Sequence, residues 1–384
     1  MSKMEYKELG ESKIKVSQIA LGCEGLIDKS QDEVVEFIEQ AQKWGINFID
    51  LYSPHPVMRR YLGQAIKNRH EWIIESHLCS VWENDQYLRT RDIKKVKRGF
   101  EDTLEQLQTD YVDIGMIHYV DAMKDYEDVF YGEIIEFVKE LKEQGKIKLI
   151  GMSSHNPEVA LKAVKTGLVD VLLFSINPCY DMLPPSEDVD DLFEKDSYKN
   201  PLQNIDPIRQ KLYEYCEANH ISITVMKAFG GGDLLDEKLS PFQVKMTVPQ
   251  CIHYCLTRPG VVSVMAGAHS IEEMRLSVSY YDVTPQERDY AEILANVPYH
   301  SFVGHCVYCG HCAPCSQKID IASVNKFLDL CIAQGKVIET AREHYQSLEH
   351  YASECIECGA CMKNCPFGVD VISKMKQAVH IFGK

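Results

Sequence analysis

The sequence predicts an α/β protein, in which a closed (β/α)8 barrel, the TIM barrel architecture, is followed by a smaller and mainly helical domain. Eight short apolar runs of strand length alternate with amphipathic helical patterns over roughly the first 290 residues, and eight such units specify a barrel. The C-terminal part instead concentrates eight of the 15 cysteines in two regular runs. We therefore predict two domains, 1–295 and 296–384.

The barrel prediction rests on the order of strand and helix patterns. The helical segments 31–44, 91–108 and 133–144 each place their apolar residues on one face. Gly45 and Gly145 follow two of them, as C-cap glycines do. The predicted strands are 16–22, 46–51, 72–78, 112–118, 147–153, 170–176, 222–228 and 261–267. The active site of such a barrel lies at the carboxyl ends of its strands.

One connection between the predicted elements is unusually long. The segment 179–205 follows the sixth strand and is rich in Pro, Asp and Glu. Its position puts it on the active-site face, where it is either a lid or a solvated insertion.

The two cysteine runs predict iron–sulfur clusters. The second run has the spacing CxxCxxCxxxCP of bacterial ferredoxins, in which three cysteines hold one 4Fe–4S cluster and the fourth reaches a second cluster. Two runs therefore predict two 4Fe–4S clusters with crossed ligation. The alternative is a pair of structural zinc sites, but zinc needs only four thiolates, and a third cysteine at the same interval does not fit it. The ligands are Cys306, Cys309, Cys312 and Cys315, and Cys355, Cys358, Cys361 and Cys365.

The first run departs from the ferredoxin pattern. Only two residues separate Cys312 from Cys315, and Ser316 stands where proline is usual, so the role of Cys315 as a ligand stays open. Some 40 residues separate the runs and carry helical patterns at 322–334 and 336–352. These patterns predict a mainly helical, ferredoxin-like domain.

Composition limits the partners. The net charge of −16 argues against a nucleic-acid partner and is compatible with a basic redox partner protein. No apolar run approaches membrane-spanning length, and the first residues lack a signal-peptide core. The seven cysteines outside the runs are scattered. We therefore expect a cytoplasmic protein with reduced thiols, in an anaerobe because exposed clusters are oxygen-labile.

The chain resembles the aldo/keto reductases, and within them the branch with a C-terminal 4Fe–4S ferredoxin domain. The resemblance covers essentially the whole chain. The segments that carry it, together with the cysteine runs, are MEYKELGESKIKVSQIALG, GINFID, YVDIGMIH, KIKLIGMSSHNPE, ITVMKAFGGG and PGVVSVMAGAHSIEEM.

The resemblance implies a catalytic Asp, Tyr, Lys and His at the barrel mouth. Asp50 and His118 match the Asp and the His. His55 stands at the position of the Tyr, His77 at that of the Lys, and Tyr52 is a neighbouring substitute for the Tyr. Ordinary NADPH-driven carbonyl reduction thus lacks its Tyr–Lys pair, although histidine exchanges protons near neutral pH. These five residues are the candidate catalytic set.

The resemblance also implies residues for a nicotinamide cofactor. Ser154 replaces the expected Asn, and Leu173 occupies the position of the expected Gln. Open glycine amides, and a predicted helix at 271–280, offer groups to a phosphate, with Arg275 as the nearest basic residue. The candidate cofactor residues are Ser153, Ser154, Asn177, Lys227, Gly230, Gly231, Gly267 and His269. NAD(P)H, a flavin in its place, or neither remain open.

We expect an iron–sulfur oxidoreductase that passes electrons between the clusters and a small organic substrate, a carbonyl compound or a relative, at the barrel mouth. One alternative is a metal-dependent acid/base enzyme, in which His55, His77 and His118, with Asp50 or Glu75, bind zinc or iron. Another is a non-catalytic electron-transfer scaffold. A homodimer, in which the cysteine domain serves the neighbouring barrel, is also left open.

Overall fold

The computed structural model describes residues 3–198, 202–295, 300–302 and 304–384. Eight strands form a closed barrel in the order β3, β4, β5, β8, β9, β10, β12 and β13, and neighbouring strands are parallel. The strands are β1 (Tyr6–Glu8), β2 (Lys15–Ser17), β3 (Ile19–Gly22), β4 (Phe48–Leu51), β5 (Ile73–Leu78), β6 (Ser80–Glu83), β7 (Gln86–Arg89), β8 (Val112–Ile117), β9 (Ile147–Ser154), β10 (Val171–Ser175), β11 (Leu202–Gln203), β12 (Ser222–Met226), β13 (Val261–Gly267) and β14 (His300–Ser301).

Helices surround the barrel and form the C-terminal part. They are α1 (Gln31–Lys43), α2 (Pro56–Ala65), α3 (Ile93–Leu107), α4 (Met123–Phe130), α5 (Glu133–Glu143), α6 (Pro157–Val164), α7 (Pro207–Ala218), α8 (Val248–Leu256), α9 (Ile271–Val278), α10 (Ala291–Ala295), α11 (Ile321–Gln334), α12 (Glu339–Gln346), α13 (Ala360–Asn364) and α14 (Val371–Phe382). Within the described ranges, none of them combines the length and the apolarity that crossing a membrane requires.

The prediction of an eight-stranded barrel is confirmed, since each predicted strand overlaps one barrel strand. The predicted helices at 31–44, 91–108 and 133–144 are present as α1, α3 and α5. Gly45 and Gly145 both have positive φ, as the C-cap prediction requires. The predicted domain boundary at 295/296 adjoins residues 296–299, which lie outside the described residues.

The inner face of the barrel changes from apolar to polar toward the carboxyl ends of the strands. Along β4, Phe48 is followed on the same face by Asp50. Along β8 and the residue after it, Met116 is followed by His118. The apolar layers fill the barrel interior, so the polar layer at the mouth is where chemistry can take place.

A β-hairpin that the sequence did not predict stands at the mouth. β6 and β7 pair antiparallel, and the two residues between them, Asn84 and Asp85, have φ of 52° and 56°. Two residues with positive φ form the tight turn that matches strand twist in hairpins. The hairpin follows β5 directly and leads into α3.

The long segment after β10 folds over the neighbouring strand end. Its buried residues include Tyr180 and Leu192, and Lys227 Nζ, just after β12, lies 5.4 Å from the centre of the Phe193 ring. Part of the segment, 199–201, lies outside the described residues. The lid interpretation stays a prediction.

The C-terminal part packs on the outer side of the barrel, where α7 and α8 lie. Helices α11 and α12 contact α7, and His344 Nδ1 lies 3.4 Å from Glu217 Oε1. The carbonyl of Val307 accepts hydrogen bonds from the buried guanidinium of Arg258 and, at 2.8 Å, from the hydroxyl of Tyr290. The predicted helix at 322–334 is present as α11, which ends at a left-handed Gly335, whereas the predicted helix at 336–352 is reduced to α12.

Candidate functional site

Four side chains form one hydrogen-bonded series at the barrel mouth. Asp50 Oδ1 lies 3.0 Å from His77 Nε2, and His77 Nδ1 lies 2.7 Å from His118 Nδ1. The other ring nitrogen of His118, Nε2, lies 2.8 Å from the hydroxyl of Tyr87. Asp50, His77 and His118 are buried, whereas Tyr87 is 40% exposed. We call this series the Asp50–Tyr87 relay; it joins a buried carboxylate to a hydroxyl that solvent or a substrate can reach.

Two arrangements of the protons in the relay differ in the direction of the Tyr87 hydroxyl. With both imidazoles neutral, His77 Nε2 donates to Asp50, His118 Nδ1 donates to His77, and Tyr87 donates its hydroxyl proton to His118. With His77 positively charged, both of its nitrogens donate, His118 Nε2 then donates to the Tyr87 oxygen, and the Tyr87 proton is free to point outward. One added proton at the buried end thus makes Tyr87 a donor toward the mouth.

Electrostatics decide which member of the relay carries the added proton. Burial, with the positive charges of His77 and Arg91 next, holds the pKa of His118 well below its usual value. His77 instead lies beside the Asp50 carboxylate. Burial raises the pKa of Tyr87 to about 12, so its hydroxyl stays protonated at neutral pH. The added proton is thus disfavoured on His118, and the Asp50 carboxylate faces the other imidazole, that of His77.

Contacts of Arg89 and Arg91, where β7 ends, hold the hairpin that presents Tyr87. Arg91 donates to the carbonyls of His118 at 2.9 Å and Tyr119 at 2.6 Å. The guanidinium of Arg89 lies 3.7 Å from the centre of the Tyr119 ring. These contacts hold the end of β7 against the end of β8, so Tyr87 is positioned by backbone as well as by its own hydrogen bond.

Sequence reasoning missed Tyr87. The available signal was the pair Asn84-Asp85 between two short runs, Val81-Trp82 and Tyr87-Leu88, which alternate as hairpin strands do. Asn-Asp is weaker than Asn-Gly as a turn signal.

Two candidate residues flank the relay. The ring of Tyr52 lies 5.7 Å from that of His118 and 6.1 Å from that of His77, so it forms a wall of the mouth. His55 is used elsewhere, because its Nδ1 accepts from the backbone of Met58 and caps α2. The structure thus does not bring the three histidines proposed as metal ligands together.

Glu75 lies beneath the relay on β5, paired in register with Asp50. It is 0% exposed, and neither carboxylate oxygen has a hydrogen-bond partner among the residues that the structure describes. Burial, followed by the negative charge of Asp50, raises its pKa well above the usual value. Ligand atoms of Asp50, Glu75 and His77 all lie within 4.8 Å of one another.

The serine candidates for cofactor binding are engaged in the protein's own hydrogen bonds. Ser153 Oγ accepts from the backbone of Tyr119 at 2.8 Å, and Ser154 Oγ donates to Asp121 at 2.9 Å. His155 Nδ1 lies 2.8 Å from the same carboxylate. Burial opposes ionisation of Asp121, but the hydrogen bonds from His155 outweigh it and lower the pKa.

The asparagine candidate for cofactor binding is also engaged in the protein's own hydrogen bonds. Asn177 donates to the carbonyl of Lys227 at 2.9 Å and accepts from the backbones of Cys179 and Tyr180. Gly230 and Gly231 have φ of 61° and 70°, and a Cβ at Gly231 would meet open space. Among the described candidates on this side, Gly231 and Lys227 are exposed.

The predicted phosphate site at α9 carries the wrong charge. The backbone amide of His269 donates to Glu273, and Arg275 is paired with Glu272 at 2.6 Å. Gly267 is exposed with open space around it, but the first turn of α9 contributes two carboxylates. The residues present do not fit a phosphate-bearing dinucleotide, and nicotinamide or flavin binding stays a prediction.

The eight cysteines line two cavities. Each cavity takes three cysteines from one run and one from the other, which is the grouping that crossed ligation requires. The first cavity is lined by Cys306, Cys309, Cys312 and Cys365. The second cavity is lined by Cys355, Cys358, Cys361 and Cys315. The doubt about Cys315 arose from its spacing within its own run, whereas the structure places it with the other run.

The chemistry of both cavities fits a bound cation centre. Burial, then the neighbouring thiols, raises the pKa of Cys309 to about 12, and burial also raises that of Cys306. Thiols that crowd together in this way become thiolates when a metal supplies positive charge. Asn325 Nδ2 lies 3.4 Å from Cys306 Sγ and can donate to a ligating sulfur. The residues therefore fit two four-thiolate centres.

Comparisons with known proteins agree with the barrel. The model of the Aldo/keto reductase family matches residues 18–251. The "Uncharacterized oxidoreductase YqkF" of Bacillus subtilis is 27% identical over 72% of this chain and 90% of that protein. The "NADH-specific methylglyoxal reductase" of Escherichia coli is 21% identical over 74% of this chain and 96% of that protein.

A solved structure shares the fold. The holo form of "aldo-keto reductase AKR11C1 from Bacillus halodurans" aligns with a TM-score of 0.58 and 21% identity, over 74% of this chain and 94% of that one. The family model covers well over half of the sequence, and it ends before the cysteine cavities. The protein thus belongs to the aldo/keto reductase family of oxidoreductases.

Proposed function

We propose that this protein reduces a small carbonyl compound at the barrel mouth, with electrons from two 4Fe–4S clusters in the C-terminal cavities and with Tyr87 as the proton donor. The observation that carries the proposal is the Asp50–Tyr87 relay. It supplies a proton donor at the mouth without the Tyr–Lys pair that the family resemblance implies.

Reduction of a carbonyl to an alcohol takes up two electrons and two protons. When bound, the clusters supply single electrons, which originate from a reduced partner protein. Tyr87 donates its proton to the carbonyl oxygen as negative charge develops there, and His118 Nε2 returns a proton to the Tyr87 oxygen. His77 in turn reprotonates His118, and solvent supplies the second proton. Because the proton is replaced as it leaves, Tyr87 with its pKa of about 12 need not become a tyrosinate.

The walls of the mouth favour a small substrate. Tyr52 and Tyr87 have ring centres 6.0 Å apart and leave a narrow approach to the Tyr87 hydroxyl. The name of the Escherichia coli relative, a methylglyoxal reductase, suggests a short oxoaldehyde as the first compound to test. We propose this class of substrate for the present chain.

The second cavity is the proposed entry point for electrons. Cys358 is exposed, and beside it Ile356 is 61% and Met362 38% exposed. The first cavity instead lies against the barrel, where Val307 is bonded to Arg258. This difference in exposure supports an order in which a partner protein reduces the outer centre first.

The test compares Tyr87→Phe with Tyr131→Phe, an exposed tyrosine outside the relay that serves as control. Each variant is purified anaerobically, its iron and sulfide are counted, and methylglyoxal reduction is driven by a reduced viologen. We expect eight iron in each and a fall of about 10²–10⁴ in kcat for Y87F alone, the usual contribution of a proton donor.

The outcomes separate the parts of the proposal. Full activity of Y87F would exclude Tyr87 as the donor. Fewer than eight iron in the anaerobic wild type, with no recovery on reconstitution, would exclude the two clusters. Eight iron with no turnover of any short aldehyde or ketone would favour the electron-transfer scaffold.

A further inference from the structure

A buried carboxylate without a partner needs a compensating charge. Glu75 is inside the barrel, and both of its oxygens lack a hydrogen-bond partner among the described residues. Its register partner on β4 is another acid, Asp50, which adds repulsion. Either a proton or a cation must compensate, since an unpaired ionised carboxylate is unstable in such a place.

The surrounding atoms are arranged for a cation. Ligand atoms of Asp50, Glu75 and His77 lie within 4.8 Å of one another, and the Asp50 Oδ1–His77 Nε2 distance is 3.0 Å. Adjacent ligand atoms of a metal bound at about 2.1 Å lie about 3.0–3.5 Å apart, so Asp50 Oδ1 and His77 Nε2 already have the required spacing. The Glu75 carboxylate completes the set, since one of its oxygens lies within 4.8 Å of the ligand atoms of Asp50 and His77.

We propose that Asp50, Glu75 and His77 bind one divalent first-row metal ion at the base of the barrel mouth. Two carboxylates and one imidazole suit Zn²⁺, Mn²⁺ or Fe²⁺, and they neutralise a charge of two. This set differs from the three-histidine site considered from the sequence, because His55 caps α2 and His118 faces His77 through Nδ1.

The relay supplies the support that a metal-binding histidine requires. Such an imidazole binds through one nitrogen and donates a hydrogen bond from the other, which fixes its orientation. Here Nε2 of His77 faces the carboxylates, and Nδ1 lies 2.7 Å from His118. A metal at Nε2 forces the proton onto Nδ1, so His118 Nε2 donates to Tyr87 and the Tyr87 proton points outward. The metal and the added proton therefore set the same orientation of the relay.

The position also suggests a role. A metal bound here would act from the buried end of the relay, by fixing the proton arrangement in which the Tyr87 proton points toward the mouth. This role rests on the proposed function, whereas metal binding does not. Binding is therefore measured without turnover, so that failure of one proposal is distinguishable from failure of the other.

The experiment titrates Co²⁺ into anaerobic wild-type protein whose eight iron have been verified, with Glu75→Gln and Asp50→Asn as variants. Glu71→Gln, an exposed glutamate just before β5, is the matched control. We expect one Co²⁺ per wild-type and E71Q chain, with weak visible bands and no thiolate charge-transfer band. Affinity should fall about 100-fold or more in E75Q and D50N, because a ligand itself is lost.

A second measurement does not depend on the variants folding. Infrared spectra of the metal-free wild type should contain the C=O stretch of a protonated buried carboxylic acid, which Zn²⁺ should remove. Zn²⁺ should also raise the melting temperature of wild type and E71Q. The proposal is wrong if cluster-loaded wild type binds no Co²⁺, if E75Q binds it equally, if the spectra show thiolate ligation, or if Zn²⁺ leaves the carboxylic acid band unchanged.

Discussion

Replacing Glu75 by Gln should stabilise the metal-free protein, and the gain should grow with pH. Glu75 is fully buried, and burial together with Asp50 raises its pKa well above the unfolded value. A carboxyl whose folded pKa is raised binds its proton more tightly in the folded state. Stability is therefore lost as pH rises from the unfolded pKa, near about 4.3, to the folded pKa.

The magnitude follows from the size of the shift. Each unit of pKa difference removes about 1.4 kcal/mol at a pH above both values. Because burial and Asp50 raise the folded pKa of Glu75 well above the usual value, E75Q should be more stable than the wild type at pH 8. The neutral amide replaces a neutral acid at pH 4, so there the two proteins should be nearly equal.

The assay measures apparent melting temperatures of cluster-loaded, chelator-treated protein at one scan rate between pH 4 and pH 8. A difference of about 1.4 kcal/mol corresponds to roughly 3–5 °C, or less in a chain of this length. E71Q should follow the wild type at every pH. Parallel melting profiles of wild type and E75Q would refute the reasoning, because they would mean that Glu75 does not titrate between the folded and unfolded states.

Three further predictions test other parts of the structure. Cys365→Ser and Cys306→Ser should each remove the four iron atoms of one cluster, and the double variant should lose no more, since both cysteines line one cavity. Loss of eight iron atoms in the double variant would contradict the crossed grouping. His253→Gln should reduce the loss of stability in acid, because burial lowers the pKa of His253 to about 4. A folded pKa below the unfolded value of about 6.5 costs stability as pH falls, about 2 kcal/mol at pH 5. Equal acid melting curves of the variant and the wild type would show that His253 is not responsible. Arg91→Met should lower stability by about 1–3 kcal/mol through its lost hydrogen bonds to the carbonyls of His118 and Tyr119 and to Asp125, while Arg89→Met, which loses its contact with the Tyr119 ring, should cost below about 1 kcal/mol, as measured by thermal unfolding.

The barrel could be predicted because its signals are local. Apolar runs of strand length recur with helical patterns between them, and Gly45 marks a helix end whatever the tertiary context. The cysteine grouping was also implied by spacing, since the fourth residue of a ferredoxin run reaches the other cluster. Cys365 and Cys315 exchange partners in this way.

The mouth was harder to predict because its contacts join distant parts of the chain. Tyr87 reaches His118 only because a two-residue turn at Asn84 folds β7 back over the barrel. The position of His55 relative to Asp50 suggested that it is a catalytic residue. Its side chain instead accepts a hydrogen bond from the backbone of Met58 and caps α2, which fixes its orientation. The isolation of Glu75 depends on every neighbour around it, and no sequence pattern reports that.

The hydrogen bond between Arg258 and the carbonyl of Val307 has a consequence for the lifetime of the protein. Arg258 is fully buried between α8 and the eighth barrel strand, β13, and it bonds the carbonyl of Val307, next to Cys306. If oxidation destroys the proposed iron centre and the cysteine loop loosens, this buried guanidinium loses the Val307 carbonyl and keeps Tyr254 and Tyr290, and a buried donor that loses its acceptor is destabilising. We expect the damaged molecule to unfold as a whole rather than persist as an inert barrel, which would expose it to cellular proteases and clear it from the pool. Cluster loss would in this way set the rate of turnover of the entire chain.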